Sequence, residues 1–122
     1  MQMIKAIIRT SRADPVVRAL QEAGAPGITV SRVHGVGYGY DPELFTLASR
    51  ELARTPVLAK IEVVCANEQV NALTRAVLAN ASTGTQGDGV VFIIPVERAV
   101  KVRDGAASLT SQLTKKKEEI KS

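Results

Sequence analysis

The stretch Thr83-Gly84-Thr85-Gln86-Gly87-Asp88-Gly89-Val90-Val91-Phe92 places three glycines and an aspartate directly before a β-branched, apolar run. Glycine lets the backbone turn with a positive φ and lets a ligand approach the chain closely. Successive backbone N–H groups in such a turn can form a concave site for an anion, but the same residues also suit a plain turn that leads into a strand. The stretch alone favours the plain turn, and the remainder of the chain favours the anion site.

The composition is that of one small folded domain. Of the 122 residues, 45% are hydrophobic and 23% are charged, as in ordinary globular proteins. A domain of this size buries only about 60–70% of its unfolded surface, so association with further copies would stabilise it. Aromatic residues make up only 3% of the chain, which argues against a stacking platform for single-stranded nucleic acid. Much of the positive charge lies in Lys115-Lys116-Lys117, which indicates a solvated helix or tail and no nucleic-acid partner.

Several classes of protein and site are not expected from this sequence. No apolar run is long enough to span a bilayer, and the N-terminus lacks the pattern of a signal peptide. The single cysteine, Cys65, leaves no internal disulfide or cysteine-rich metal site, and His34 has no Cys or carboxylate at ligand spacing. These features predict a cytoplasmic protein that holds no metal and does not depend on magnesium. Because no nucleophile–base pair is visible, we also expect that it is not an enzyme.

Alternating and helical patterns follow one another along the chain. Period-two alternation predicts strands over residues 3–9, 28–36, 58–66, 90–94 and 96–103. Helical spacing predicts one helix that starts at Asp14-Pro15 and ends at Gly24, and a second helix capped by Asn67. This order predicts an α+β, ferredoxin-like split βαβ fold (βαββαβ) with helices on one sheet face. The other face is half apolar and half charged, which suits packing between subunits; it would carry Lys5, Ile7, Lys60, Glu62 and Val64.

The segment between Gly35 and Pro56 is an insert in this pattern. It opens with Gly35-Val36-Gly37-Tyr38-Gly39-Tyr40, which lacks the third glycine of a dinucleotide-binding fingerprint. Asp41-Pro42 then predicts the start of a short helix over about residues 42–54, which would pack on its own domain, on a neighbouring subunit or on a partner. The last residues, 108–122, are treated as a tail outside the domain at 1–107, and their apolar spacing predicts a frayed or weakly docked helix.

Together these residues resemble the PII signal-transduction family over about residues 1–103. The matching segments are Ile4-x-Ala6-Ile7-Ile8, Thr29-Val30, Gly35-x-Gly37, Lys60-Ile61-Glu62-Val63-Val64, Thr83-Gly84, Gly87-Asp88-Gly89, Phe92 and Pro95-Val96-Glu97-Arg98-Ala99. The resemblance implies a homotrimer with an adenine nucleotide (ADP, AMP or ATP) in the clefts between subunits. It also implies a long T-loop, here about 37–57, that engages a regulated enzyme or membrane transporter of nitrogen or carbon metabolism.

The resemblance further implies which residues would contact the nucleotide and the partner. The base and ribose would lie against Ile7, Gly35, Val36, Gly37, Glu62, Val63 and Val64. The phosphates would lie along Gly87, Asp88 and Gly89, and the neighbouring subunit would contribute Thr29, Lys101 and Arg103. The T-loop residues expected to contact the regulated partner are Tyr38, Tyr40, Leu44, Phe45 and Leu52.

The chain departs from the PII pattern at the positions that bind effectors. Val90 replaces a cation beside the phosphates, and Tyr38 replaces another, so that Lys101 and Arg103 remain of four cations. Gly39 replaces the glutamine that binds magnesium and 2-oxoglutarate, and Leu58 replaces the lysine that pairs with 2-oxoglutarate. The position of the uridylylated tyrosine is Glu51. The small-molecule effector, whether nucleotide, bicarbonate or another, therefore stays open, and a CutA-like trimer of the same fold without nucleotide control is the alternative.

Overall fold

The computed structural model describes residues 1–36 and 57–108. The strands are β1 (Gln2–Arg9), β2 (Thr29–His34), β3 (Val57–Cys65), β4 (Gly89–Pro95), β5 (Ala99–Val100) and β6 (Ala107–Ser108). The helices are α1 (Ala13–Glu22) and α2 (Val70–Ala81), each preceded by a 3₁₀ turn, at Thr10–Arg12 and Asn67–Gln69 respectively.

The main sheet has the order β2-β3-β1-β4, with every neighbouring pair antiparallel. Because β1 and β3 lie at the centre and a helix follows each of them, this is the split βαβ topology, and the predicted ferredoxin-like fold is confirmed. β2 and β4 form the two edges of the sheet, and β4 leaves Ile93 and Ile94 41% and 37% exposed.

The core lies between the helices and one face of the sheet. Alternate residues of β1 and β3 point into it, as the alternation predicts. It is closed by apolar side chains of α1 and α2. Its largest fully buried side chains are Ile4, Ile8, Val16, Leu20, Ile61, Val63, Cys65, Leu73 and Val77. The opposite face of the central strands is partly exposed, and no helix of residues 1–36 and 57–108 lies over it, as predicted for Lys5, Ile7, Lys60, Glu62 and Val64. We call this the open face.

Both predicted helix starts are wrong in detail. α1 begins at Ala13, before Asp14-Pro15, because the 3₁₀ turn at Thr10–Arg12 runs directly into it and the Ala13 N–H donates to the Thr10 carbonyl. Asn67 does not cap α2. Its Oδ1 accepts a hydrogen bond from the Met1 amino group at 2.8 Å, and the Gln69 side chain accepts one from the Ala66 N–H at 3.1 Å instead.

Two predicted strands are also too long. β2 ends at His34, so Gly35 and Val36 leave the sheet. The strand predicted over 96–103 is reduced to β5, because Lys101 opens a tight turn. Its N–H donates to the Ala106 carbonyl, and its carbonyl accepts from the Gly105 N–H at 2.8 Å. The end of α1 is as predicted, since Gly24 takes φ +86° directly after the helix.

Candidate functional site

The loop from Thr83 to Gly89 is organised by the carboxylate of Asp88. This carboxylate accepts hydrogen bonds from three successive backbone N–H groups, those of Thr83 (2.7 Å), Gly84 (2.9 Å) and Thr85 (3.3 Å). The Thr83 hydroxyl donates to it as well. The predicted concave group of N–H donors therefore exists, and the chain's own carboxylate fills it.

The electrostatics of this loop favour the ionised carboxylate. The Thr83 hydroxyl and backbone N–H, with further donors from Arg9 and Thr85, hold the pKa of Asp88 far below its usual range. Hydrogen bonds to the charged form of a carboxylate have this effect because protonation would remove an acceptor. Asp88 is thus a permanent anion at neutral pH, and it fixes the shape of the loop.

Arg9 ties the end of β1 to the same loop. Its Nε donates to Asp88 Oδ1 at 3.2 Å, and its Nη2 donates to the Gln86 carbonyl at 2.8 Å and to Thr85 Oγ1 at 3.3 Å. The side chain is 38% exposed. The loop is therefore held by one anion from within and by one cation from the neighbouring strand.

Gly87 and Gly89 are needed where they stand. Gly89 has φ +116°, and a Cβ built on it would lie 2.0 Å from the Ile7 carbonyl oxygen. Gly87 has φ +94°, and a Cβ there would lie 3.1 Å from Arg9 Nη2. Both conformations are rare for residues with a side chain. The two glycines thus let the loop pass close to the backbone of β1 and to the Arg9 side chain.

Glu62 occupies the middle of the open face. It pairs across the sheet with Lys5 on β1 and with Thr29 on β2. Its carboxylate lies 3.8 Å from Lys5 Nζ and 3.7 Å from Lys60 Nζ. Partly exposed ion pairs of this kind contribute little to stability, about 0–1 kcal/mol each. Their effect here is to position the Glu62 carboxylate between the ammonium groups of Lys5 and Lys60.

A cleft of about 400 Å³ opens beside Glu62. Its lining combines one carboxylate with apolar side chains and backbone, namely Met3, Pro26, Gly27, Thr29, Glu62 and Val64. This volume lies within the usual range for small-molecule sites, about 300–1,000 Å³. Three residues proposed from the sequence as nucleotide contacts, Thr29, Glu62 and Val64, therefore share one concavity.

The other proposed contacts fall at the opposite end of the open face. The register joins Ile8 to Gly89 and His34 to Val57, so Gly35, Val36, Gly87, Asp88 and Gly89 gather near the end of β1. Ile7 lies one residue before this end, where it pairs with Lys60 and Val90. Within one chain the proposed set thus forms two groups, one at each end of the open face.

The remaining proposed contacts lie in neither of these two groups. The side chain of Val63 is 1% exposed and lies in the core, so only its backbone is available to a ligand. Lys101 and Arg103 lie in the turn between β5 and β6, next to a fully exposed Val102. Gly37, the T-loop helix over 42–54 and the tail beyond residue 108 lie outside the described residues, as do the proposed partner contacts Tyr38, Tyr40, Leu44, Phe45 and Leu52.

The sequence analysis missed Arg9, Thr83 and Thr85. The period-two alternation of β1 places Arg9 on the open face with Ile7, so its position on that face could be predicted from the sequence. Its partners, however, lie 76–79 residues further along the chain, and only the pairing of β1 with β4 brings them together. The two threonines belong to the quoted loop, but their role depends on the inward direction of Asp88.

Residues 1–36 and 57–108 contain neither a candidate metal site nor a candidate membrane-spanning helix. Within these ranges no group of three or more His, Cys, Asp or Glu side chains is placed to hold a metal ion. None of the helices described there is both long and apolar enough to cross a bilayer. Burial raises the pKa of the Cys65 thiol, which is fully enclosed in the core, as the apolar strand face predicts.

Comparisons with known proteins agree with this geometry. The family model described as nitrogen regulatory protein P-II matches residues 1–106. A nitrogen regulatory protein P-II of Cereibacter sphaeroides is 40% identical over 107 residues, which cover 86% of this chain and 94% of that protein. One from Rhizobium meliloti (strain 1021) is 39% identical over 111 residues, which cover 89% and 97%. The crystal structure of Arabidopsis thaliana PII bound to citrate superposes with a TM-score of 0.68 at 29% identity, covering 88% of this chain and 84% of that one.

Proposed function

This chain belongs to the nitrogen regulatory protein P-II family of signal-transduction proteins, and from that premise we propose that it is a homotrimeric regulator that binds an adenine nucleotide between its subunits. The nucleotide would be ADP, AMP or ATP, and its binding would set the state of the T-loop at 37–57. The T-loop would then control an enzyme or transporter of nitrogen or carbon metabolism. The proposal includes a cytoplasmic location, where such enzymes work, and no catalytic role.

The loop held by Asp88 carries this proposal. A preformed glycine-containing loop needs little ordering when a ligand arrives. Gly87 and Gly89 let this loop lie close to the end of β1, and the phosphates would contact its backbone there. The cleft beside Glu62 lies at the other end, where the adjacent subunit of a trimer would meet it. A nucleotide bridging two subunits would therefore have its base near a carboxylate and its phosphates near the loop.

A ligand panel tests nucleotide binding. The melting temperature is recorded with AMP, ADP, ATP, bicarbonate, 2-oxoglutarate and citrate, the last because a related PII protein is bound to it. A ligand that binds only the native state at about 100 times its Kd stabilises that state by about 2.7 kcal/mol. We expect a rise in melting temperature with ADP. An unchanged melting temperature with all three adenine nucleotides at millimolar concentration would refute the proposal.

Light scattering tests the trimer. The motivation is the open face, whose partly exposed apolar and charged side chains have no layer above them in the described residues. The expected mass at micromolar concentration is three times that of the 13.0 kDa chain. A monomer mass under these conditions would rule out a site between subunits.

The T-loop is tested separately, since it lies outside the described residues. The double substitution Leu44→Asp with Leu52→Asp interrupts the apolar stripe of the predicted helix over 42–54. If this helix contacts the regulated partner, the melting temperature stays that of the unsubstituted protein, and a pull-down that captures the partner with the unsubstituted chain loses it. A large fall in melting temperature would instead place the helix in the trimer's own core.

A further inference from the structure

Arg9 lies beside the position where the chain lacks a cation for the phosphates. In β1, Met3, Lys5, Ile7 and Arg9 alternate with buried residues and therefore share the open face. Ile7 pairs with Val90, so Arg9 is the diagonal neighbour of Val90 on that face. Diagonal neighbours in an antiparallel pair are about 7–8 Å apart, a distance that a long side chain spans. The guanidinium of Arg9 can thus occupy space that a cation at position 90 would reach.

The guanidinium of Arg9 is fixed in place and is not saturated. Arginine has five N–H donors. Three of them are used, by Asp88, Gln86 and Thr85. The two N–H groups of Nη1 have no partner within residues 1–36 and 57–108. Because the other three donors hold the group rigidly, a ligand that takes the remaining two has little side-chain entropy to offset.

The absence of a side chain at Gly87 lets the Arg9 guanidinium lie next to the loop backbone, where the proposed phosphates would bind. A Cβ on Gly87 would lie 3.1 Å from Arg9 Nη2 and 4.0 Å from Arg9 Nη1. The guanidinium therefore packs against the bare backbone of Gly87, with no side chain between them. A phosphate that contacts the backbone at Gly87 meets the free edge of Arg9 at the same time.

The geometry points to Arg9 as a phosphate-binding residue that replaces the cation missing at position 90; this inference rests on the proposed nucleotide site. Arginine suits the task because its planar fork matches two phosphate oxygens. Its contact with Asp88 also offsets the negative charge that the loop would otherwise present to a phosphate. In the opposing view, Arg9 only shapes the loop and touches no ligand.

Calorimetry with ADP and adenosine separates the two views. Arg9→Gln removes the charge, and Thr85→Val removes one anchor of Arg9 but keeps its charge. Arg18→Gln, an exposed residue of α1 on the helix side, is the matched control for net charge. A lost charge-assisted hydrogen bond predicts that Arg9→Gln weakens ADP binding by about 10–150-fold. We expect adenosine binding to be unchanged, Thr85→Val to weaken ADP less than Arg9→Gln, and Arg18→Gln to match the unsubstituted protein.

Each other outcome has a distinct meaning. If the unsubstituted protein binds neither ADP nor adenosine, the proposed function fails and this inference fails with it. If it binds ADP and Arg9→Gln binds ADP equally well, only the inference is overturned. Equal losses in Arg9→Gln and Thr85→Val would also overturn it, since a loop-shaping role predicts them. If Arg9→Gln does not fold, Arg9→Lys decides: weaker ADP binding with unchanged adenosine binding supports a guanidinium contact, and unchanged ADP binding refutes it.

Discussion

Replacing Gly89 by alanine should destabilise the protein much more than a glycine-to-alanine change at an open position does. The added Cβ would lie 2.0 Å from the Ile7 carbonyl oxygen, whereas ordinary van der Waals contact begins at 3.4 Å. β4 must therefore move away from β1 at the point where Gly89 pairs with Ile8. Backbone strain of about 1–3 kcal/mol and the loss of one hydrogen bond between the strands, about 0.5–1.5 kcal/mol, together predict a loss of about 1.5–4.5 kcal/mol in the free energy of unfolding.

Two other glycines serve as matched controls. Gly84 has φ +77° and open space around it, so alanine there meets a left-handed backbone cost of about 1–2 kcal/mol. Alanine also lowers the entropy of the unfolded chain, which gives back about 0.4–1 kcal/mol. Gly27 has neither a positive φ nor a neighbour within 4 Å, so Gly27→Ala should be neutral or slightly stabilising. From the most to the least stable variant, the expected order is Gly27→Ala, Gly84→Ala and Gly89→Ala.

Urea unfolding followed by circular dichroism measures this order. All variants are compared at one protein concentration, because the stability of an oligomer depends on it. In a domain of this size each 1 kcal/mol corresponds to about 2–8 °C in melting temperature, so thermal unfolding distinguishes the Gly89 variant as well. If Gly89→Ala came within about 0.5 kcal/mol of Gly84→Ala, the size of an ordinary surface change, the close approach of β4 to Ile7 would be refuted.

Three further predictions concern Asp88 and the proposed effector site. Asp88→Asn should lower the melting temperature at pH 7. Because the pKa of Asp88 is depressed in the folded state, the stabilisation by its carboxylate is complete above the unfolded value of about 3.9 and is lost as pH falls below it. The difference in melting temperature between Asp88→Asn and the unsubstituted protein should therefore shrink in acid, and a difference that stays constant from pH 7 to pH 3 would contradict this. Titration of 2-oxoglutarate into protein with ATP and magnesium should show no added heat, because Leu58 is 4% exposed and apolar and Gly39 has no amide ligand; micromolar affinity would refute the prediction. ADP or AMP should bind at least as tightly as ATP, and Val90→Lys should strengthen ATP binding by about 1.5–3 kcal/mol; equal gains for AMP and ATP would show that position 90 does not face the distal phosphates.

The sequence was sufficient for the layers of the fold because they depend on local periodicity. Ile4, Ala6 and Ile8 alternate strictly, and all three are buried. Gly24 closes α1 because only a residue without a Cβ enters the required φ easily. The exact helix starts were not predictable in the same way. Asn67 is a good cap by residue type, but its oxygen is taken by the Met1 amino group, and that contact exists only once β1 and the start of α2 have come together.

The candidate site was only half predictable for the same reason. The glycines at 87 and 89 were identified because residue type alone signals a special backbone. The roles of Asp88 and Arg9 were not, because each depends on where a side chain turns after the strands pair. The sequence predicts that Asp88 lies along the phosphates, but it does not predict that the Asp88 carboxylate accepts hydrogen bonds from the N–H groups of Thr83, Gly84 and Thr85. An aspartate that accepts hydrogen bonds from the loop's own N–H groups has the same sequence signature as an aspartate that faces a ligand.

The position of β4 at the edge of the sheet has a consequence for how the chain survives in a cell. Its run Val90-Val91-Phe92-Ile93-Ile94 is uncharged and rich in β-branched residues, and in the described residues it is paired on one side only, with β1. Short segments of this composition are prone to cross-β aggregation when they are exposed. Gly89 and Pro95 at its two ends are poor partners for a growing fibril. If the chain forms the proposed trimer, newly made chains that have not yet assembled are the population prone to aggregation, and chaperone demand should rise with the rate of synthesis more than with the amount of mature protein.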